Sequence, residues 1–284
     1  MRALLAILTG AALLLAAGGC TGGGAKTPSD PQELADRALA AMADLDSYRA
    51  ELDFGSSEAG PLLAEFVRPQ SYRLQGGFKQ QQTGTGEPVD RVIESIYIDD
   101  GSYHRECEKA DVGCGEWQSG QADTPAPSGP SPLYLPQWPL AGLDLADDLK
   151  LAGREDLDGQ SMLKLTGTVN HIRAVMENIR SLYAEAGVTA FGQDCQDTPD
   201  GGQTCRDLTY DEALQQQEPA LTFYDSHPGT LEVWLSAEDY RVRRVQLTVP
   251  PFDDPSQGGD PSSVETSVTF SYSKFNDVTI KAPI

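Results

Sequence analysis

The hydrophobic positions of this chain change period several times, and each change marks an element. Leu34, Ala38, Met42 and Leu45 recur at helical spacing behind Asp30-Pro31-Gln32-Glu33. A capping aspartate, a proline in the first turn and a glutamate two residues beyond it open helices, so Pro31–Asp46 is predicted to be amphipathic and helical. At Tyr48 the period drops to two. Tyr48, Ala50, Leu52 and Phe54 alternate with Arg49, Glu51 and Asp53, the pattern of a strand with one wet face. Segments 62–68, 71–76, 91–99, 102–105, 149–155 and 160–169 read as further strands, with Asp100-Gly101 and Asp158-Gly159 as hairpin turns. After Asn170 the helical spacing returns in Ile172, Val175, Met176, Ile179, Leu182 and Tyr183, and Gly187 is placed to end that helix. Strands resume at 230–236, 240–249 and 264–273. Val242 falls out of phase with Val245, Leu247 and Val249, which predicts a β-bulge at Arg243-Arg244.

Between these elements, the Pro-, Gly- and Ser-rich stretch 124–139 lacks periodicity and is read as a surface loop. The region carrying Cys195 and Cys205 is read as irregular, followed by a short helix opened by Thr209 and Glu212. The sum is about nine or ten antiparallel strands in an α+β, mainly β chain. The predicted architecture is a strongly curved antiparallel sheet, a half-open barrel, with helices covering its concave face. A single domain spans 30–284, with a helix-and-loop insertion at about 170–229.

The N-terminus follows a different logic. Arg2 precedes an apolar run from Ala3 to Ala17, too short to span a bilayer, and Gly18-Gly19-Cys20 follows. Residues 1–19 are read as a signal peptide. The cysteine at the cut resembles the lipobox of bacterial lipoproteins, although Ala17 stands where that family most often has Leu. The resemblance implies acylation of Cys20 and attachment to a membrane of the cell envelope on its extracytoplasmic face. It leaves inner and outer membrane open. Residues 20–29 read as the lipidated cysteine and a flexible tether containing three consecutive glycines. Its nine residues after the cysteine reach about 30 Å when extended.

Charge and cysteines narrow the function. The formal charge is −22, a surface that repels nucleic acid and anionic headgroups, so no nucleic-acid partner is expected. Setting Cys20 aside leaves two local pairs, Cys107 with Cys114 and Cys195 with Cys205, and an exported chain favours disulfides. Zinc is the rival at the first pair, since His104 lies close by, but an oxidising compartment and a single nearby histidine argue against it. Three histidines, His104, His171 and His227, occur without a Gly-x-Ser-x-Gly elbow or a His-x-x-x-His pair. With 43 acids in the chain, adjacent carboxylates are expected by chance and fit turns. No catalytic residue, metal ligand or cofactor is assigned, and the chain is read as a non-enzyme. What remains is an apolar interior. Phe66, Leu74, Ile96, Leu165, Leu235 and Phe270 are candidates to line a ligand cavity, each equally readable as packed core. Ile172, Val175, Met176 and Ile179 mark the helix after Asn170 as a candidate lid.

The order of elements, together with four short motifs, resembles the LppX/LprG-type lipoproteins of mycobacteria and, more distantly, the LolA/LolB lipoprotein carriers. The motifs are Leu45-Asp46-Ser47-Tyr48-Arg49-Ala50, Ile98-Asp99-Asp100-Gly101-Ser102-Tyr103, Gly153-Arg154-Glu155-Asp156-Leu157-Asp158-Gly159, and Phe275-Asn276-Asp277 before Val278-Thr279-Ile280-Lys281-Ala282-Pro283. The resemblance covers about 31–170 and 229–284. It implies a concave face that holds acyl chains, a lipid or glycolipid ligand bound or transferred, and no cofactor. The two cysteine loops and the insertion depart from that pattern. The alternative is an envelope sensor or interaction module of the same fold, docking a membrane protein partner through its acidic surface.

Overall fold

The computed structural model describes residues 28–55, 60–69, 71–80, 89–98, 101–120, 135–187, 189–197, 202–252 and 265–283. The predicted signal segment, Cys20, most of the predicted tether, and Asp100 of the predicted Asp100-Gly101 turn lie outside the described residues. In chain order the elements are α1 (Pro31–Ala43), β1 (Ser47–Asp53), β2 (Leu62–Val67), β3 (Ser71–Gln80), β4 (Val89–Ile98), β5 (Gly101–Cys107), β6 (Gln118–Ser119), α2 (Trp138–Asp144), β7 (Asp147–Leu157), β8 (Gln160–Val169), α3 (His171–Ala186), β9 (Gln193–Asp197), β10 (Gln203–Asp207), α4 (Tyr210–Gln216), α5 (Glu218–Ser226), β11 (Gly229–Ser236), β12 (Val242–Val249) and β13 (Thr266–Ser273).

Eleven strands form one sheet in the order β6-β5-β4-β3-β2-β1-β13-β12-β11-β8-β7, every neighbouring pair antiparallel. The sheet is curved, and its edges β6 and β7 do not pair, so the barrel stays half open. The fold is mainly β. The chain passes from one edge to the other through α2, and it returns from β8 to the neighbouring β11 through α3, α4 and α5.

Local chemistry sets the helix ends. Asp30 Oδ1 accepts from Gln32 N at 3.0 Å at the start of α1, and Asn170 Oδ1 accepts from Arg173 N at 3.2 Å at the start of α3. Gly187 ends α3 in the left-handed region at φ 68°, which costs glycine nothing. Thr209 and Glu212 form a reciprocal capping box on α4. Those N–H and O–H donors, together with Arg206, hold the Glu212 carboxyl down at about 2. Asp158 and Gly159, both at positive φ, turn β7 into β8.

Alternation divides the sheet into two faces. Tyr48, Ala50, Leu52, Phe66, Tyr72, Leu74, Leu165, Val233, Leu235, Val245, Leu247 and Phe270 bury their side chains on the concave face. Leu34, Ala35, Ala38 and Met42 of α1, Trp138 and Leu143 of α2 and Ala174 of α3 pack onto them. The convex face carries a cross-strand row of alternating charge: Arg49, Glu65, Arg73, Glu94 and Arg105. Glu94 is only 1% exposed, and guanidinium groups on both sides make that burial tolerable.

Two sequence motifs meet in space. Asn276 Oδ1 accepts from Asp46 N at 2.8 Å, and Asn276 N donates to Ser47 O at 2.8 Å. Val278 N donates to Ser47 Oγ at 3.1 Å, so the C-terminal segment straps over the start of β1. The bulge is present as well: Trp234 faces Arg244, but Leu235 faces Val242.

Several expectations need correction. The stretch 124–139 is not wholly a surface loop. Leu135, Trp138 and Pro139 are buried, and Trp138 opens α2, a helix of 7 residues that is too short to show a period. The helix predicted to Asp46 ends at Ala43, although Leu45 remains buried beyond it. The segment around Cys195 and Cys205 forms the β9–β10 hairpin, whose polar residues gave no alternation to read. Segment 170–229 therefore holds three helices and a hairpin among its described residues. Both disulfides, Cys107–Cys114 and Cys195–Cys205, are formed.

Candidate ligand cavity

A cavity of about 1000 Å³ opens between α1, α2, α3 and the concave ends of β1 and β2. Its floor is apolar. The rings of Tyr48 and Phe66 lie 5.3 Å apart, beside Leu39 and Met42 from α1 and Leu140 and Leu145 from α2 and its C-terminal cap. The outer wall is α3, which contributes Glu177, Asn178, Ser181, Leu182 and Glu185.

Contacts from α4 and α5 fasten that wall. Asn170 Nδ2 donates to Leu221 O at 3.0 Å and to Asp225 Oδ1 at 2.7 Å, and Arg173 pairs with Asp225, tying the start of α3 to α5. These contacts hold the Asp225 carboxyl below its ordinary range, the Asn170 bond being the largest cause. Farther along, Tyr210 Oη donates to Glu177 Oε1 at 2.9 Å, linking α3 to α4.

Charged groups gather at the rim, and most are already engaged. Arg68 donates from Nε to Leu45 O and from Nη2 to Ala43 O, each at 2.7 Å, closing off carbonyls at the end of α1. Arg180 pairs with Glu177 at 2.5 Å and lies over the Tyr210 ring at 5.4 Å. Asp144 and Glu185 make no ion pair among the described residues. Burial pushes the Tyr48 phenol far up, with Tyr72 adding to the effect and Arg68 opposing it. Tyr72 is pushed up to about 12, again chiefly by burial and against the hydrogen bond from Gln137. Both phenols stay neutral across the physiological range.

Of the residues singled out from sequence, Phe66 lines this cavity. Leu74, Leu165, Leu235 and Phe270 lie in the packed core under the helices, Phe270 meeting the Trp138 ring edge-on at 5.2 Å. Ile96 sits on the convex face, opposite Arg73 and Tyr103 and in phase with Glu94. On α3, Met176 is buried, Val175 packs against the core, and Ile172 and Ile179 are half-buried. The stripe of α3 that faces the cavity is its polar one. Sequence reading missed Gln137, Leu140 and Asn178, because the first two come from the stretch read as loop or its sequel and the third looks like part of a solvated face; Leu182, read on the apolar stripe of this helix, lines the cavity as well.

The histidines have structural surroundings. His104 Nε2 is 3.2 Å from Gln118 Oε1, and His227 stacks on Phe223 at 4.6 Å. His171 meets the Tyr224 ring edge-on at 4.3 Å, and burial pushes its imidazole down to about 4. Glu94 lies close to Cys107 and Cys114, but both sulfurs are spent in their disulfide, so they offer no thiolate to a metal. No helix among the described residues is long and apolar enough to cross a membrane.

The chain is similar to two solved mycobacterial structures. LprF from Mycobacterium bovis is 15% identical, with 89% of this chain and 96% of that one covered and a TM-score of 0.46. The lipoprotein LppX from Mycobacterium tuberculosis is 13% identical, with 89% and 99% covered and a TM-score of 0.42. No family model matches the sequence, and no curated protein does.

Proposed function

We propose that this protein is an envelope lipoprotein, anchored through Cys20, that binds a lipid or glycolipid with its acyl chains in the cavity between the helices and the sheet. The observation that supports this reading is the cavity itself: about 1000 Å³, with an apolar floor beneath a mostly polar rim. A site of that size and lining suits a ligand that is apolar along its length and polar at one end. The N-terminal signal and lipobox-like sequence support the location, since they put the domain within a short tether's reach of a membrane. The lining residues are those of a binding site, and binding or carriage accounts for them.

The test is native mass spectrometry of the mature chain after mild purification, with organic extraction of whatever co-purifies. Recovery of a lipid in near-stoichiometric amount is expected. An Ala141→Trp variant, which places an indole in the cavity, should lose at least about nine-tenths of that lipid while keeping its melting temperature. Repeated recovery of an empty wild-type protein that also takes up no added lipid would refute the function.

A further inference from the structure

Three helix C-termini converge on the mouth of the cavity: Ala43 of α1, Asp144 of α2 and Glu185 in the last turn of α3 all line it. The C-terminal end of a helix carries partial negative charge and favours a cation beside it. At α1 that cation is Arg68, fixed by its two bonds of 2.7 Å to Leu45 O and Ala43 O. The ends of α2 and α3 have the opposite arrangement, with no basic residue in the last turn and a carboxylate in its place. That placement is locally unfavourable, and a cation brought by a ligand would relieve it.

Arg68 in turn keeps a positive charge, because its two carbonyl partners are uncharged and no carboxylate pairs with it among the described residues. Arg68, Asp144 and Glu185 are all exposed, so a head group reaches them without entering the core. Arg68 and Glu185 also act on one neighbour. Besides burial, the main cause, and the hydrogen bond from Gln137, the Tyr72 phenol is pushed up by Glu185 and down by Arg68. A purely anionic head would leave the carboxylates unbalanced, a purely cationic one would meet Arg68, and an uncharged one would serve neither. We propose that the cavity favours zwitterionic amphiphiles, with a phosphate at Arg68 and an ammonium toward Asp144 and Glu185. This rests on the lipid-binding reading above and adds the charge pattern of the ligand's head.

Competition against N-phenyl-1-naphthylamine, a neutral fluorescent reporter of apolar sites, tests it. It is run at physiological salt, where attraction to the chain's net charge of −22 is screened beyond about 8 Å. Oleoyl lysophosphatidylethanolamine, oleoyl lysophosphatidylglycerol, monooleoylglycerol and oleylamine share one chain length and are added below their critical micelle concentrations. The ethanolamine lipid should displace the reporter at a concentration at least about threefold below each of the others, the scale of one exposed ion pair. In Asp144→Asn/Glu185→Gln its lead over lysophosphatidylglycerol should vanish. In Arg68→Gln, which keeps amide donors for the two carbonyls, its lead over oleylamine should vanish. Each lipid is referred to the reporter's affinity for the same variant, and the carboxamide variant carries the test alone if Arg68→Gln does not fold. Equal displacement by all four, a lead for any of the other three, or a preference that survives the substitutions overturns the inference while leaving lipid binding intact. Wild type that takes up neither the reporter nor any of the four lipids refutes the lipid-binding reading itself.

Discussion

His171 should make the stability of this protein fall in mild acid, and the size of the effect can be worked from its surroundings. The imidazole stands at the first position of α3, edge-on to Tyr224, with Nδ1 buried and without a partner. Charging it would place a cation in an apolar contact and at the positive end of a helix dipole. Its pKa is pushed down to about 4 from an ordinary 6.5, so between those values the unfolded chain binds a proton that the folded chain does not. Stability is therefore full above pH 6.5, declines as pH falls through the window, and has lost about 3 kcal/mol by pH 4. Carboxylates held down in the fold add their own losses from the acid end of this window downward, Glu212 as pH falls below its ordinary 4.5 and Asp225 below its ordinary 3.8. Urea unfolding at pH 7 and at pH 4.5 measures the decline. His171→Phe keeps a ring against Tyr224 and removes the titration, so its stability should change little over the same interval. A variant as pH-sensitive as wild type would refute the assignment, as would an imidazole found by NMR to titrate near 6.5 in the folded protein.

Two further outcomes follow from packing and cross-linking. Phe270 is fully buried against Trp138 at the centre of the concave face, so Phe270→Ala should cost about 3–5 kcal/mol, read as a fall in the urea midpoint. The β9–β10 hairpin exposes nearly all of its described side chains and is stapled between directly opposed residues. Losing the Cys195–Cys205 bridge removes about 3 kcal/mol from that local element. The Cys195→Ser/Cys205→Ser variant should therefore be cut by trypsin at Arg206 far faster than wild type, with the midpoint of the main sheet changed little.

Sequence reveals the parts of this fold whose causes are local. Asp30, Asn170 and the Thr209/Glu212 pair cap their helices with side chains one turn away, so the signal sits beside the feature it produces. The bulge was equally legible, because two valines three positions apart cannot share a face of a regular strand unless a residue is inserted between them. Other parts depend on distant partners. Trp138 and Leu143 look like stray apolar residues in a Pro-rich stretch until the concave face that buries them is known. Ile96 could not be assigned a face from its own strand, since β4 carries apolar residues in both phases. Asn178 belongs to a polar stripe that reads as solvated and instead faces a cavity, which is visible only once α2 is in place.

The polarity of α1 bears on how the proposed anchor would present the domain to a bilayer. Its first residue continues from the tether, while Leu39, Met42 and Ala43 at the other end border the cavity. A helix of 13 residues is about 20 Å long, so the mouth and the leash sit at opposite ends of a rigid rod. Were Cys20 anchored in a membrane as proposed, the cavity-lining end of α1 would lie about 20 Å along the helix from the end that follows the anchor. On the proposed anchoring, the stretch between Cys20 and Asp30 would set how freely the cavity can turn toward the bilayer, and removing a few of its residues would leave the cavity intact while restricting that freedom.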